Sequence, residues 1–150
     1  MTSRFQPPPI IKAAERMAVE IENAVRKFPR YHRYHRYQIG SDLRARAQQV
    51  FINANNAWRE RAEQARWVAV LVRDIDALKR LLQIGKGVGA FASFRQFEML
   101  IRLAEELGMQ AGGWRRRLRE VSHAQSAQAN GVAQRGKKLS TRTALAGANS

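Results

Sequence analysis

Cysteine is absent from the 150 residues, which excludes a disulfide scaffold, a thiol nucleophile, thiolate zinc sites and iron–sulfur clusters. Acidic residues are scarce, with 12 Asp plus Glu facing 27 Lys plus Arg, a formal charge of +15 with histidine neutral. No stretch approaches the roughly 20 apolar residues of a membrane span. The opening MTSRFQPPPII has no apolar run of signal-peptide length either. A soluble, cytoplasmic protein without a membrane partner is therefore expected. Nowhere do β-branched and aromatic residues alternate with polar ones between turn residues, so strands are not expected. Apolar residues make up 45% of the chain, enough for a core of ordinary size and too many for wholesale disorder.

The surplus charge is clustered. Residues 26–46 carry seven basic groups (Arg26, Lys27, Arg30, Arg33, Arg36, Arg44 and Arg46) against Asp42 alone. Residues 115–150 carry eight, among them Arg115, Arg116, Arg117, Arg119, Lys137 and Lys138, against Glu120. The first 25 residues are neutral, and residues 47–114 hold nine basic and seven acidic groups, the mixture of solvated helix faces. Like charges close in sequence repel, and a polyanion is the natural surface to offset that repulsion. The two segments are thus candidate nucleic-acid contacts.

Apolar periodicity predicts four helices. Pro7, Pro8 and Pro9 lead into the first, in which Ile10, Ile11, Ala14, Met17, Ala18, Ile21, Val25 and Phe28 recur at helical spacing until Pro29. Arg30 to Gln38 reads as a connection. The second helix carries Ile39, Leu43, Ala47, Val50, Phe51, Ala54, Ala57 and Trp58, and a polar patch at Arg59 to Gln64 marks a turn. The third carries Trp67, Val68, Leu71, Val72, Ile75, Leu78 and Leu82, and Gly85, Gly87 and Gly89 stop it. Ser93 with Gln96 has the spacing of a capping box. Phe94, Phe97, Leu100, Ile101, Ala104, Leu107 and Ala111 then form the fourth stripe. The expected fold is all-α: an extended lead-in over 1–9, an antiparallel up-down-up-down four-helix bundle over 10–121, and a disordered, flexible basic tail over 122–150.

Catalytic chemistry is not visible. His32 and His35 share a helix spacing but sit among Arg30, Arg33 and Arg36, whose field opposes a metal ion. Asp74 and Asp76, two apart on a helix, point to different faces. The GKGVG segment follows a helix and lacks the GK[ST] ending of a phosphate loop, so a helix end and turn is the better account. With no GxSxG serine and no thiol, neither an enzyme nor a cofactor or metal site is expected.

A binding module fits better. Arg30 to Tyr37, RYHRYHRY, interleaves cations with aromatic rings, a combination in which phosphate pairing and base stacking act together on nucleic acid. At least one of Tyr31, Tyr34 and Tyr37 is expected to pack beneath the turn instead. Arg115, Arg116 and Arg117 are consecutive and span about 200–300° of a helix, so at least one faces outward.

Several segments together resemble a known family. KFPRYHRY at Lys27 to Tyr34, QIGSDLRARA at Gln38 to Ala47, RDIDALKRLLQIGKGVG at Arg73 to Gly89, and FRQFEMLIRLAEELGMQAGGWRRRL at Phe94 to Leu118 are similar to the accessory variability determinant (Avd) proteins of diversity-generating retroelements. Phe28-Pro29, Gly40 and Gly112-Gly113-Trp114 are the sharpest marks. The resemblance implies a prokaryotic or phage-encoded, non-catalytic subunit. It would form a homopentameric ring of four-helix bundles that binds the retroelement's reverse transcriptase and its template-repeat RNA, with cDNA or DNA as a further ligand, in support of mutagenic cDNA synthesis. By the same resemblance Arg26, Lys27, Arg30, Arg115, Arg116 and Arg117 contact nucleic acid or reverse transcriptase, the other basic positions named above being assigned on charge alone, while Phe28, Pro29, Leu43, Leu82, Trp114 and Leu118 serve packing or subunit contact. The superfamily also contains the four-helix-bundle proteins encoded in intervening sequences of ribosomal RNA genes. An interaction protein of that type, with no reverse-transcriptase partner, is the alternative.

Overall fold

The computed structural model describes the backbone of residues 6–29 and 33–148, and the side chains of 6–29 and 37–132. Among the described residues all regular structure is helical. Four α-helices follow in order: α1 (Pro9–Arg26), α2 (Arg33–Arg59), α3 (Gln64–Gly87) and α4 (Phe94–Ala148), with a single 3-10 turn at Arg61–Glu63 between α2 and α3. The chain divides into two units, Met1–Arg115 and Arg116–Ser150.

The first unit is a helical bundle closed around one apolar core. Pro9 opens α1 at a position where its fixed φ suits the helix and its missing N–H costs nothing. Ile10, Ala14, Met17, Ile21, Ala24 and Val25 then line the buried side of α1. The end tightens before Pro29, as the amides of Lys27 and Phe28 bond to the carbonyls of Ala24 and Val25 at 3.0 and 3.2 Å. In α2 the buried residues are Leu43, Ala47, Val50, Ala54 and Ala57; in α3 they are Val68, Leu71, Ile75, Leu78 and Leu82; in α4 they are Phe97, Leu100, Ala104, Leu107 and Ala111. Each fully buried leucine or isoleucine contributes about 1.5–3 kcal/mol relative to exposure. The interspersed alanines let the helices approach closely. Gly40 does so against α1, where a Cβ would lie 2.8 Å from Cγ1 of Val25.

Two boundaries follow from identifiable local chemistry. At the end of α3, Gly89 adopts φ +68°, the amide of Ala90 reaches the carbonyl of Gly85 at 2.9 Å, and that of Gly89 reaches Lys86 at 3.1 Å. This is a Schellman closure with glycine at the left-handed position and the following Ala90 buried, so GKGVG is a helix end and turn. At the start of α4 the Ser93 hydroxyl accepts from the Gln96 amide at 3.2 Å, while the Gln96 side chain accepts from Ala92 rather than from Ser93 itself. The cap is a one-residue-shifted capping box.

Two expectations are corrected. Of the connection expected over Arg30 to Gln38, Arg33 to Gln38 are helical, because α2 already begins at Arg33 despite the scarcity of aliphatic residues in this stretch. The stretch 122–150 is helical as far as Ala148, although it was expected as a tail. It lacks an apolar stripe, and its side chains from 122 to 130 are exposed, but it contains no proline and is rich in Ala, Gln and basic residues that sustain helix locally. No helix among the described residues is long and apolar enough to cross a membrane.

Candidate nucleic-acid interface

One end of the first unit gathers the turn between α1 and α2 and the turn between α3 and α4. The Phe28 ring, buried beneath the first turn, meets Phe91 in the second edge-to-face, with centroids 5.4 Å apart and planes at 86°. A Cβ added to Gly85, near the end of α3, would lie 3.5 Å from the Ile39 side chain at the start of α2. Arg26 and Lys27 are exposed over the buried Phe28 and the half-buried Pro29, and the last turn of α3 supplies Lys86 at the same end. Phe91 continues to Phe97 at 5.7 Å, and Phe97 to Phe94 at 6.0 Å. A chain of four phenylalanines thus leads from the basic turn to the surface. Phe94 was expected in the apolar stripe of the fourth helix, but it sits at the first position of α4 and is 62% exposed. Tyr37 is exposed as well, at 65%. Arg30, Tyr31 and the side chains of Arg33, Tyr34 and Arg36 lie outside the described residues.

Two of the anticipated contacts have partners within the bundle. Arg44 places Nε and Nη2 each 2.8 Å from one Glu22 oxygen, tying α2 to α1. Arg46 donates to Asp74 at 2.9 Å and ties α2 to α3. Asp74 also accepts from the amide of Asn53, which in turn accepts from Gln49 at 3.0 Å. The network is the main polar feature of the buried interface, since Asn53 and Asp74 are the two buried polar residues among those described. Leu43 and Leu82 are in the core, and Trp114 packs against it.

The second cluster is divided between the two units. Arg115 is at the far end of the first unit's stretch of α4, about 30 Å along the helix from its start at 1.5 Å per residue. It is half-buried, and its Nε is buried without a hydrogen-bond partner among the described residues. Arg116, Arg117 and Arg119 belong to the second unit and are exposed, with Leu118 half-buried. Lys137 and Lys138 lie on its helical backbone, and their side chains are outside the described residues.

Sequence reasoning missed a third set. Arg66, Arg73 and Arg80 follow at intervals of seven residues along α3, so they fall nearly on one line about 10 Å apart. All three are exposed, and none pairs with a carboxylate among the described residues. The signal was present as a heptad of arginines, hidden because the surrounding segment is almost neutral in sum. No group of three His, Cys, Asp or Glu among the described residues is placed to hold a metal ion. Compared with protein-family models, with curated proteins and with solved structures, the chain matches none.

Proposed function

We propose that this chain is a non-catalytic, RNA-binding accessory subunit of a reverse transcriptase, of the kind that supports mutagenic cDNA synthesis in diversity-generating retroelements. The observation that carries the reading is electrostatic: a formal charge of +15 whose exposed members Arg26, Lys27, Arg66, Arg73, Arg80, Arg116 and Arg117 have no carboxylate partner among the described residues. Unneutralised cations of this number favour a polyanion by release of its counterions. The resemblance of the chain to Avd proteins supplies the particular partner, and with it the up-down-up-down topology, the homopentameric ring and the cytoplasmic setting. In this reading the bundle is a rigid charged platform, the helical segment after Val121 is a basic arm, and the catalytic carboxylates and metal ions belong to the polymerase.

The test is co-purification of the tagged protein from its native host, with identification of bound protein and RNA together. Recovery of a reverse transcriptase with a template-repeat transcript is the expected result. Ribosomal RNA or ribosomal proteins without a polymerase would replace this reading by the intervening-sequence type of interaction protein.

A further inference from the structure

The end of the bundle that carries the basic turn also carries a small cleft. It has a volume of 210 Å³ and is lined by Lys86, Gly89, Phe91, Ser93, Phe94 and Phe97. That is below the 300–1,000 Å³ of sites for drug-sized ligands, a size for one ring system rather than for a cofactor. The Lys86 ammonium lies 5.2 Å from the Phe94 centroid and 5.1 Å from that of Phe97, held over the rings and bound to no carboxylate among the described residues.

We propose that this cleft is a stacking site for one unpaired nucleobase of a single-stranded RNA, with Phe94 as the platform and Lys86 as the contact to the adjoining phosphate. The assignment rests on the RNA-binding reading above and gives it a place and a chemistry. Three observations select this occupant. An exposed ring at the mouth of an apolar cleft rewards a flat π-system, and stacking on aromatic side chains is how proteins hold single strands without reading their sequence. The only charge in the lining is positive, so the occupant carries negative charge next to its ring. Arg26 and Lys27 stand at the same end, joined to the cleft through Phe28 and Phe91, so a strand leaving the cleft meets further cations. A base-paired duplex would meet the cations but not the ring, because its bases are already stacked on each other.

The experiment compares two probes with equal numbers of phosphates, a single-stranded oligoribonucleotide and an abasic strand of the same length, on the full chain and on Phe94→Ala, Phe94→Leu and Lys86→Gln. The unsubstituted protein is expected to prefer the base-bearing strand. In Phe94→Ala and Phe94→Leu the affinity for that strand should fall about 5- to 150-fold and the preference should collapse, while abasic binding stays unchanged. Phe94→Leu keeps an apolar side chain beside Phe97, and its unchanged abasic binding and thermal unfolding separate lost stacking from lost folding. Lys86→Gln should weaken both strands and reduce the salt dependence by about one single-strand contact. A preference that survives both Phe94 substitutions overturns the stacking site while leaving RNA binding by the protein intact. Failure of the unsubstituted protein to bind either strand overturns the RNA-binding reading itself. Unaltered RNA affinity, together with loss of a co-purifying protein from Phe94→Ala, would make the cleft a protein-docking site and also overturn the proposal.

Discussion

Arg46 and Asp74 face each other across the contact of α2 with α3, guanidinium nitrogen to carboxylate oxygen at 2.9 Å, in an interface where the buried Asn53 is their polar neighbour. The two ends of the pair differ in environment, since the Arg46 side chain is 40% exposed and that of Asp74 is 11%. Removing the arginine therefore strands a nearly buried carboxylate with Asn53 as its remaining partner, whereas removing the carboxylate leaves an arginine that water can still reach. Arg46→Ala is expected to destabilise by about 1–3 kcal/mol, more than Asp74→Asn. Replacing both by leucine should cost less than Arg46→Ala alone. Urea unfolding of Arg46→Ala, Asp74→Asn and the variant combining those two substitutions measures the coupling, and additive effects would mean that the pair contributes nothing as a pair.

Gly40 and Gly112 are both helical glycines, and they are expected to respond to alanine in opposite directions. A methyl at Gly40 meets the buried, β-branched Val25 at 2.8 Å, a side chain with little freedom to withdraw. The overpacking cost of about 1–3 kcal/mol exceeds the helix-propensity gain of about 1 kcal/mol. At Gly112 nothing lies within 4 Å of the added carbon, and only the gain remains. Thermal unfolding should show Gly40→Ala less stable and Gly112→Ala more stable than the parent chain. A stabilised Gly40→Ala would show that α1 and α2 can move apart freely.

How far the structure was legible beforehand depended on whether a feature is written locally. The stripes from Ile10 to Val25, from Val68 to Leu82 and from Phe97 to Ala111 are amphipathic repeats, and each became a helix with that face buried. The ends at Pro29, Gly89 and Ser93 were legible for the same reason, because caps and turns are short-range chemistry. The start of α2 was not, since Tyr34 to Gln38 offer no aliphatic repeat. Nor was the Arg46–Asp74 pair, which joins residues 28 apart in sequence, or the meeting of Phe28 with Phe91, which makes one end of the bundle basic and aromatic at once. Phe94 misled because a phenylalanine in register with a buried stripe reads as core, while its place at the first turn of α4 leaves nothing to cover it.

Arg115 and its two successors should separate by assay although they are consecutive. The Nε of Arg115 is buried and unpartnered among the described residues, so Arg115→Met removes that donor and keeps the aliphatic stem; stability is expected to hold or to rise by about 1 kcal/mol. Arg116 and Arg117 are exposed, and Arg116→Gln with Arg117→Gln should leave stability unchanged while lowering the salt dependence of RNA binding by about one unit of log–log slope. A destabilised Arg115→Met chain would mean that the guanidinium has a partner in solution.

The arginine row on α3 gives the sharpest test of the polyanion surface, because its members share a line, an exposure and a lack of carboxylate partners among the described residues. Substituting Arg66, Arg73 and Arg80 together by glutamine touches no buried contact, so unfolding should move by no more than about 0.5 kcal/mol per site. If a single strand runs along α3, each arginine releases counterions on binding. The slope of log affinity against log salt should then fall by about 2 units in the triple variant, from roughly 0.7 per phosphate contact. Asp76 stands exposed between Arg73 and Arg80, and its removal by Asp76→Asn should strengthen binding at low salt, with the difference fading as salt rises. A slope unchanged by the triple substitution would take α3 out of the interface and leave RNA to the bundle end and to the second unit. A weakened affinity with an unchanged slope would point to altered folding or assembly instead of lost phosphate contacts, and the unfolding measurement on the same samples separates that case.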